Sequence, residues 1–241
     1  MAGEPERRVF TLSTAFTPYG QSGWRVGPLL RHALELTGAE RPRVCVLATA
    51  QGDNAGDYLR VLGAFERTGV AATHLSLFPM PNVENPRDLL LDQDLIMVGG
   101  GSVANMLAVW RVHGLDAVMR EAWERGILLS GASAGAICWF VGGTTDSFGP
   151  ALRLFKEGLG LLPHSYCPHY NSEALRRPTY QRLVGDGSLP AGWGADDGVG
   201  MLFVNDELQD VVADRPDIAA WRVERDGDQA RESHVAPRVV G

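Results

Sequence analysis

Cysteine is scarce in this sequence: Cys45, Cys138 and Cys167 are the only three in 241 residues, and no two form a CxxC pair. That excludes a disulfide scaffold and a thiolate zinc site, and it is what a reducing cytosol favours. Positive charge is also short, 22 Lys and Arg against 29 Asp and Glu, for a net charge of −7. No overall positive field exists to gather nucleic acid or an anionic membrane surface. No apolar run approaches the roughly 20 residues of a membrane span. The opening MAGEPERRVFTL lacks the apolar stretch of a signal peptide, and neither an internal repeat nor a low-complexity linker is present. The expectation is a soluble, cytoplasmic protein without nucleic-acid or membrane partners. With 45% hydrophobic and 21% charged residues, it should fold as one globular domain over residues 1–241, monomeric or homodimeric.

What the sequence does have is alternation. Short apolar runs recur at VFTLST, RVCVLATA, THLSLF, LIMVGGG, GILLSGAS and VGMLFV, several rich in β-branched residues. Between them lie stretches of helical period, GPLLRHALELTGAE, AGDYLRVLGAFERTG, SVANMLAVWRVHG and LDAVMREAWERG. Strand and helix in turn predict an α/β fold, a mostly parallel β-sheet flanked by helices on both faces. In such sheets the site lies at the carboxyl ends of the strands. Residues 141–195 show little periodicity and are expected to form loops and short elements over that site. A β-rich closing segment follows Phe203, and residues 228–241 are a candidate disordered tail.

Two strand-to-helix turns stand out. In SGASAGA, Ser133 is surrounded by Gly131, Ala132, Ala134, Gly135 and Ala136. Small neighbours let such a turn close and project a nucleophilic hydroxyl, with the Ala134 N–H as an oxyanion donor. The same residues also suit tight packing of a helix on a sheet, and the pattern alone does not separate the two. In VGGGS, Gly99, Gly100 and Gly101 expose backbone N–H groups. The P-loop Lys-Ser/Thr and the GxGxxG spacing are both missing, so an oxyanion role is the better reading if Ser133 is catalytic.

Six histidines could serve as base. His32, His74 and His113 lie in or beside regular elements and suit surface or packing roles. His164 and His169, in LLPHSYCPHYNSE, are the credible candidates. No HxxxH or HxH spacing occurs and Glu173 is the only acid nearby, so neither a metal nor an organic cofactor is expected. A carboxylate to orient the imidazole could come from Asp196 or Asp197 in GADDG, although Asp-Gly is also a common β-turn, or from Asp146 in TTDS.

Taken in order, VGGGS, SGASAGA, CPHY and ADDG resemble the peptidase E family of serine peptidases, which includes aspartyl dipeptidase and, more distantly, cyanophycinase. The resemblance spans about residues 43–204. It implies a fold like that of class I glutamine amidotransferases, with serine in place of their cysteine. It also implies a Ser-His-Asp triad of Ser133, His169 and Asp197, with Asp196 the fallback, and an oxyanion hole from Gly100 or Gly101 with Ala134. Asp146 would support the histidine region or the substrate's amino group.

Relatives that cleave after aspartate hold its carboxylate with an arginine beyond the histidine segment. Here a register anchored on Glu173 puts Leu175 at that place, beside Arg176 and Arg177, so a strict aspartyl preference does not carry over. Glu173 and Arg176 remain candidate supporting or substrate-binding residues. The implied activity is a serine exopeptidase on short peptides. An esterase or amidase, a cyanophycinase-like hydrolase and a non-catalytic binding homologue are the alternatives.

Overall fold

The computed structural model describes residues 5–21 and 23–241. The chain opens with β1 (Arg8–Leu12), a hairpin of β2 (Phe16–Tyr19) and β3 (Gly23–Val26), and helix α1 (Pro28–Leu36). Then come β4 (Arg43–Leu47), α2 (Ala55–Glu66), β5 (Ala71–Leu75), α3 (Pro86–Leu91), β6 (Leu95–Val98), α4 (Val103–Val112), α5 (Leu115–Glu124) and β7 (Leu128–Ala132). After the short α6 (Ala134–Ile137) follow β8 (Phe140–Thr145), β9 (Arg153–Phe155), β10 (Leu162–Cys167), α7 (Arg176–Gly185), β11 (Gly192–Ala195) and β12 (Val199–Val204). The chain closes with β13 (Glu207–Ala213), β14 (Ala220–Asp226), β15 (Gln229–Val235) and β16 (Arg238–Val239).

The larger sheet has the order β16-β13-β12-β1-β7-β6-β4-β5. Its half from β1 to β5 is parallel throughout, while β12 and β13 add an antiparallel margin. The expected α/β organisation, helices on both faces, is present, and its physical basis lies in the strand sequences. In β4, Val44 and Val46 pack with Leu29, Leu30, Tyr58 and Phe65 of α1 and α2, whereas Cys45 and Leu47 pack with Met106, Leu107 and Trp110 of α4. β6 divides the same way, Leu95 and Met97 against Ile96 and Val98. Strands covered on both sides need apolar residues at every position, which is why they read as continuous runs.

Residues 141–195 differ from expectation. They build most of a second sheet, of order β15-β14-β11-β10-β8-β9, backed by α7 through Tyr180, Leu183 and Val184. Its signal is hidden by glycine. A Cβ at Gly142 would overlap the Phe155 carbonyl, one at Gly143 the Tyr166 carbonyl, and one at Gly194 would sit 2.8 Å from the Tyr170 ring. These strands need glycine for close approach of neighbouring backbone and rings, and lose their apolar pattern as a result.

The candidate disordered tail is a correction of the same kind. β15 pairs with β14 at seven positions from Ala220↔Val235 to Asp226↔Gln229, and β16 pairs with β13. β15 is mostly polar and solvent-facing, so its strand character comes from pairing and from the contacts of Glu232 with Tyr170 and Arg177. The two sheets share one core, in which Phe140 stacks on Tyr166 at 4.7 Å and meets Phe203 edge-on at 5.5 Å.

Candidate active site

Ser133 joins β7 to α6 with φ +53° and ψ −113°, a left-handed conformation that a serine adopts only where its surroundings enforce it. Here they do. A Cβ at Gly131 would overlap the Gly135 carbonyl, and one at Gly135 would overlap the Val98 carbonyl at the end of β6. The glycines therefore let α6 start directly against the sheet, and Ser133 absorbs the sharp change of direction. Its carbonyl accepts from the N–H groups of Ala136 and Ile137 at 2.9 and 3.0 Å, which leaves the side chain outside the turn. Tight packing and a half-buried hydroxyl projecting from the turn are thus two aspects of one geometry.

His169 follows β10, also at positive φ, +57°. Its Nε2 lies 2.9 Å from Ser133 Oγ and its Nδ1 lies 2.6 Å from Asp197 Oδ1. With Nδ1–H donated to the carboxylate, Nε2 is the acceptor for the serine hydroxyl. Asp197 sits in the turn between β11 and β12, where its N–H donates to Asn171 Oδ1 at 2.9 Å and its carbonyl accepts from Arg215 Nη2 at 2.5 Å. The hydrogen bond from His169 holds the Asp197 carboxyl below the usual carboxylate range. The Ser172 hydroxyl and the nearby Arg215 charge add to this, and partial burial opposes it.

Asp196, one residue earlier, faces away from the imidazole. Its two oxygens accept from Ala219 N–H at 3.0 Å and Trp221 Nε1 at 3.2 Å in a buried position that ties the start of β14 to the turn. Asp146, Glu173 and Arg176 form a cluster of their own. The buried Arg176 guanidinium donates to Glu173 at 2.7 Å and to the Thr144 carbonyl at 3.0 Å, with Asp146 at 3.8 Å. All of its reach is spent inside the protein, joining the end of β8 to the start of α7. His164 turns toward the Asp206 carbonyl, 3.1 Å away, not toward Ser133.

Gly100 stands against Ser133, such that a Cβ there would lie 3.2 Å from the serine Cβ and 3.9 Å from Oγ. Gly101, at φ +130°, is instead pressed on the Ala50 backbone. Among the described residues, the N–H groups of Gly100, Gly101 and Ala134 meet no protein acceptor. Ser102 serves as the N-cap of α4, accepting from Asn105 N–H at 3.2 Å. The three thiols are buried and unpaired. Burial pushes Cys45 and Cys167 up to about 12 and Cys138 well above its ordinary value, so none is poised as a nucleophile.

Asn171, Ser172 and Arg215, which hold the turn of Asp197, carry no spacing signal. Only the polar run Asn171-Ser172-Glu173, two residues beyond His169, could have pointed to the first two.

A model of "Peptidase family S51" matches residues 22–211. The chain is 41% identical over 208 residues to the uncharacterized peptidase YgaJ of Bacillus subtilis (strain 168), covering 85% of this chain and 89% of that protein. Among solved structures it resembles a peptidase from an acI-B1 Actinobacterium, with TM-score 0.68, 16% identity, and 98% and 96% of the two chains covered. It also resembles a Listeria monocytogenes EGD-e protein provisionally described as peptidase E, with TM-score 0.58, 17% identity, and 85% and 97% covered. At those identities the structures speak for the fold alone. The family match extends from the β2–β3 hairpin into β13, taking in both turns and both histidine partners, and with the YgaJ likeness it makes this chain a member of peptidase family S51, a serine-type peptidase.

Proposed function

We propose that this peptidase is a serine exopeptidase that hydrolyses short peptides through Ser133, His169 and Asp197. The observation that carries the reading is the unbroken chain of contacts from Ser133 Oγ to His169 Nε2 at 2.9 Å and from His169 Nδ1 to Asp197 Oδ1 at 2.6 Å. The two residues at its heart sit at positive φ. Strain of this kind persists where surrounding structure enforces a functional geometry.

In this reading Ser133 Oγ attacks the scissile carbonyl while His169 Nε2 takes its proton, and Asp197 stabilises the imidazolium that forms. The oxyanion is received by the free N–H of Ala134, at the start of α6, and by that of Gly100. Gly101 is the weaker candidate, since its backbone packs on Ala50. His169 then returns the proton to the leaving amine, and water releases the acyl group by the same steps in reverse order. Asp196, Asp146, Glu173 and Arg176 act as supports of the turns, not as substrate ligands. Exopeptidase action is favoured by the likeness of the four motifs to peptidase E. Three unpaired cysteines suit turnover of peptides in the cytosol.

Ser133→Ala should lower peptide hydrolysis by about 10⁴-fold or more while the circular dichroism spectrum and melting midpoint stay near wild type. Peptidase turnover within tenfold of wild type in the folded variant would remove Ser133 from the mechanism.

A further inference from the structure

A cavity of about 350 Å³ opens next to Ser133 on the α1 and α2 side of the larger sheet. Its walls are Phe16 and Trp24 of the hairpin, Val46 of β4, Met97 of β6, and Tyr58 and Val61 of α2. Phe16 and Trp24 stack with centroids 5.6 Å apart, forming a continuous aromatic side. At one end the wall is Gly99, Gly100 and Ala132, the backbone on either side of the serine turn. Gly100 is thus both a wall of the cavity and the neighbour of the Ser133 hydroxyl, since a Cβ on it would lie 3.9 Å from Oγ.

The direction of the substrate follows from the proton path. His169 must deliver its proton to the leaving amine, so the leaving half lies on the side of the smaller sheet. No residue of that sheet lines the cavity. The cavity is therefore on the acyl side, where the side chain next to the attacked carbonyl would point.

Its chemistry is apolar. Among the described lining residues the one charged side chain is Asp57, whose carboxylate is paired with Arg60 at 3.7 Å. Among the described residues, no arginine, lysine or histidine lines it. The guanidinium groups nearer the histidine side are engaged elsewhere: Arg176 with Glu173 and Thr144, Arg177 with Glu232, and Arg215 with Asp214 and the Asp197 carbonyl. An aspartyl side chain would meet one carboxylate and no unpaired cation. The volume lies at the lower end of the roughly 300–1,000 Å³ usual for ligand pockets, which suits one side chain better than a polymer.

We propose that this cavity is the acyl-side specificity pocket and that it selects an apolar residue of leucine, methionine or phenylalanine size over aspartate. The proposal rests on the assignment of Ser133 as nucleophile. It places the specificity-determining residues on the β2–β3 hairpin and α2, at the opposite side of the serine from the arginines of α7.

The test is a series of X-Ala dipeptides, with X being Leu, Met, Phe, Ala and Asp, hydrolysed by the full chain. Burial of one such side chain should raise kcat/KM for the three large apolar residues about 10- to 100-fold over Ala, with Asp below Ala. Trp24→Ala should compress the Phe-over-Ala ratio about tenfold. Gln51→Arg, at an exposed position on the rim, leaves the core untouched and should raise the Asp-to-Leu ratio several-fold. A flat profile, or Asp preferred in the wild type, overturns the pocket while leaving Ser133 hydrolysis standing. Failure to cleave every member, with no labelling of Ser133 by a fluorophosphonate, overturns both.

Discussion

The strands that end at Ser133 and those that end at His169 are held in place by different forces. β6 is buried at all four positions, and β7 at four of its five. Their register comes from apolar side chains clamped between helices, a strong and non-directional restraint. β10 and β11, in the smaller sheet, read LPHSYC and GWGA. They depend on glycine contacts, on Ser165 between Tyr180 and the Pro190 carbonyl at 2.7 and 2.6 Å, and on the cluster of Arg177, Glu232, Tyr170 and Trp221. The proposed nucleophile thus rides on the more generic scaffold. The proposed base and its orienting acid ride on a scaffold of specific polar contacts, which should be easier to perturb one residue at a time.

The widest separation of the two kinds of role lies within the smaller sheet itself, at adjacent aspartates. Asp197→Asn should lower kcat by about 10⁴-fold with only a small, pH-dependent loss of stability, because an amide presents the wrong partner to His169 Nδ1–H. Asp196→Asn should keep kcat within about threefold and instead lower stability by about 1–2 kcal/mol, by weakening the bonds to Ala219 and Trp221. Urea denaturation beside steady-state kinetics distinguishes them. The opposite pattern would place the turn one residue out of register.

Glycine substitutions compare the sheets directly. Gly135→Ala drives a methyl group into the Val98 carbonyl, backbone that cannot turn aside, and should cost about 1–3 kcal/mol together with fluorophosphonate labelling of Ser133. Gly194→Ala meets the Tyr170 ring at 2.8 Å. The ring can shift, so the loss of stability should be smaller, but Tyr170 adjoins His169 and activity should fall further than stability does. Equal ratios of the two losses in both variants would erase the distinction.

Glu232→Gln probes the polar cluster. Glu232, on β15, accepts from the Tyr170 hydroxyl and from Arg177 Nη2 at 2.5 Å, while Arg177 lies over the Trp221 ring at 4.1 Å. The edge strand of the smaller sheet thereby holds the residue beside His169. Because Arg177 is part exposed, the stability effect should be about 1 kcal/mol, with a several-fold fall in kcat and labelling of Ser133 slowed in step. Unchanged kinetics would confine β15 to a structural role.

The same division decides how much was legible from the amino-acid sequence. β1, β4, β6, β7 and β12 fall on the apolar runs because burial writes itself into nearly every position, the half-buried edge strand β5 overlaps its run only in part, and α1, α2, α4 and α5 fall on the helical stretches between them. Ser133 and the glycine turn were visible for that reason, as features at the ends of such runs. His169 and Asp197 were singled out by motif order, since nothing in SYCPHYNSE reveals β10 and, although GADDG leads into the apolar run VGMLFV, nothing before it reveals β11. β8 and β11 were hidden because glycines stand where apolar side chains would otherwise alternate, and β15 because both its faces are largely polar. The hairpin of Phe16 and Trp24, which walls the cavity, was missed because four-residue strands joined by a short turn leave no period to count.

The smallest expected effect concerns the bond between the two halves of the site under acid. His169 holds the Asp197 carboxyl below its ordinary range, so the folded protein binds that proton less readily than the unfolded chain does. For a depressed carboxyl the stabilising contribution is complete above the unfolded value of about 3.9 and is lost as pH falls through the lower folded value. The difference in urea midpoint between wild type and Asp197→Asn should therefore hold steady down to about pH 4 and close below it. A parallel series on Glu232→Gln separates this from general acid loosening of the smaller sheet. A gap that persists unchanged to the lowest pH at which both proteins fold would mean that the Asp197 charge contributes nothing through His169, and that the two sheets meet at the serine by packing alone.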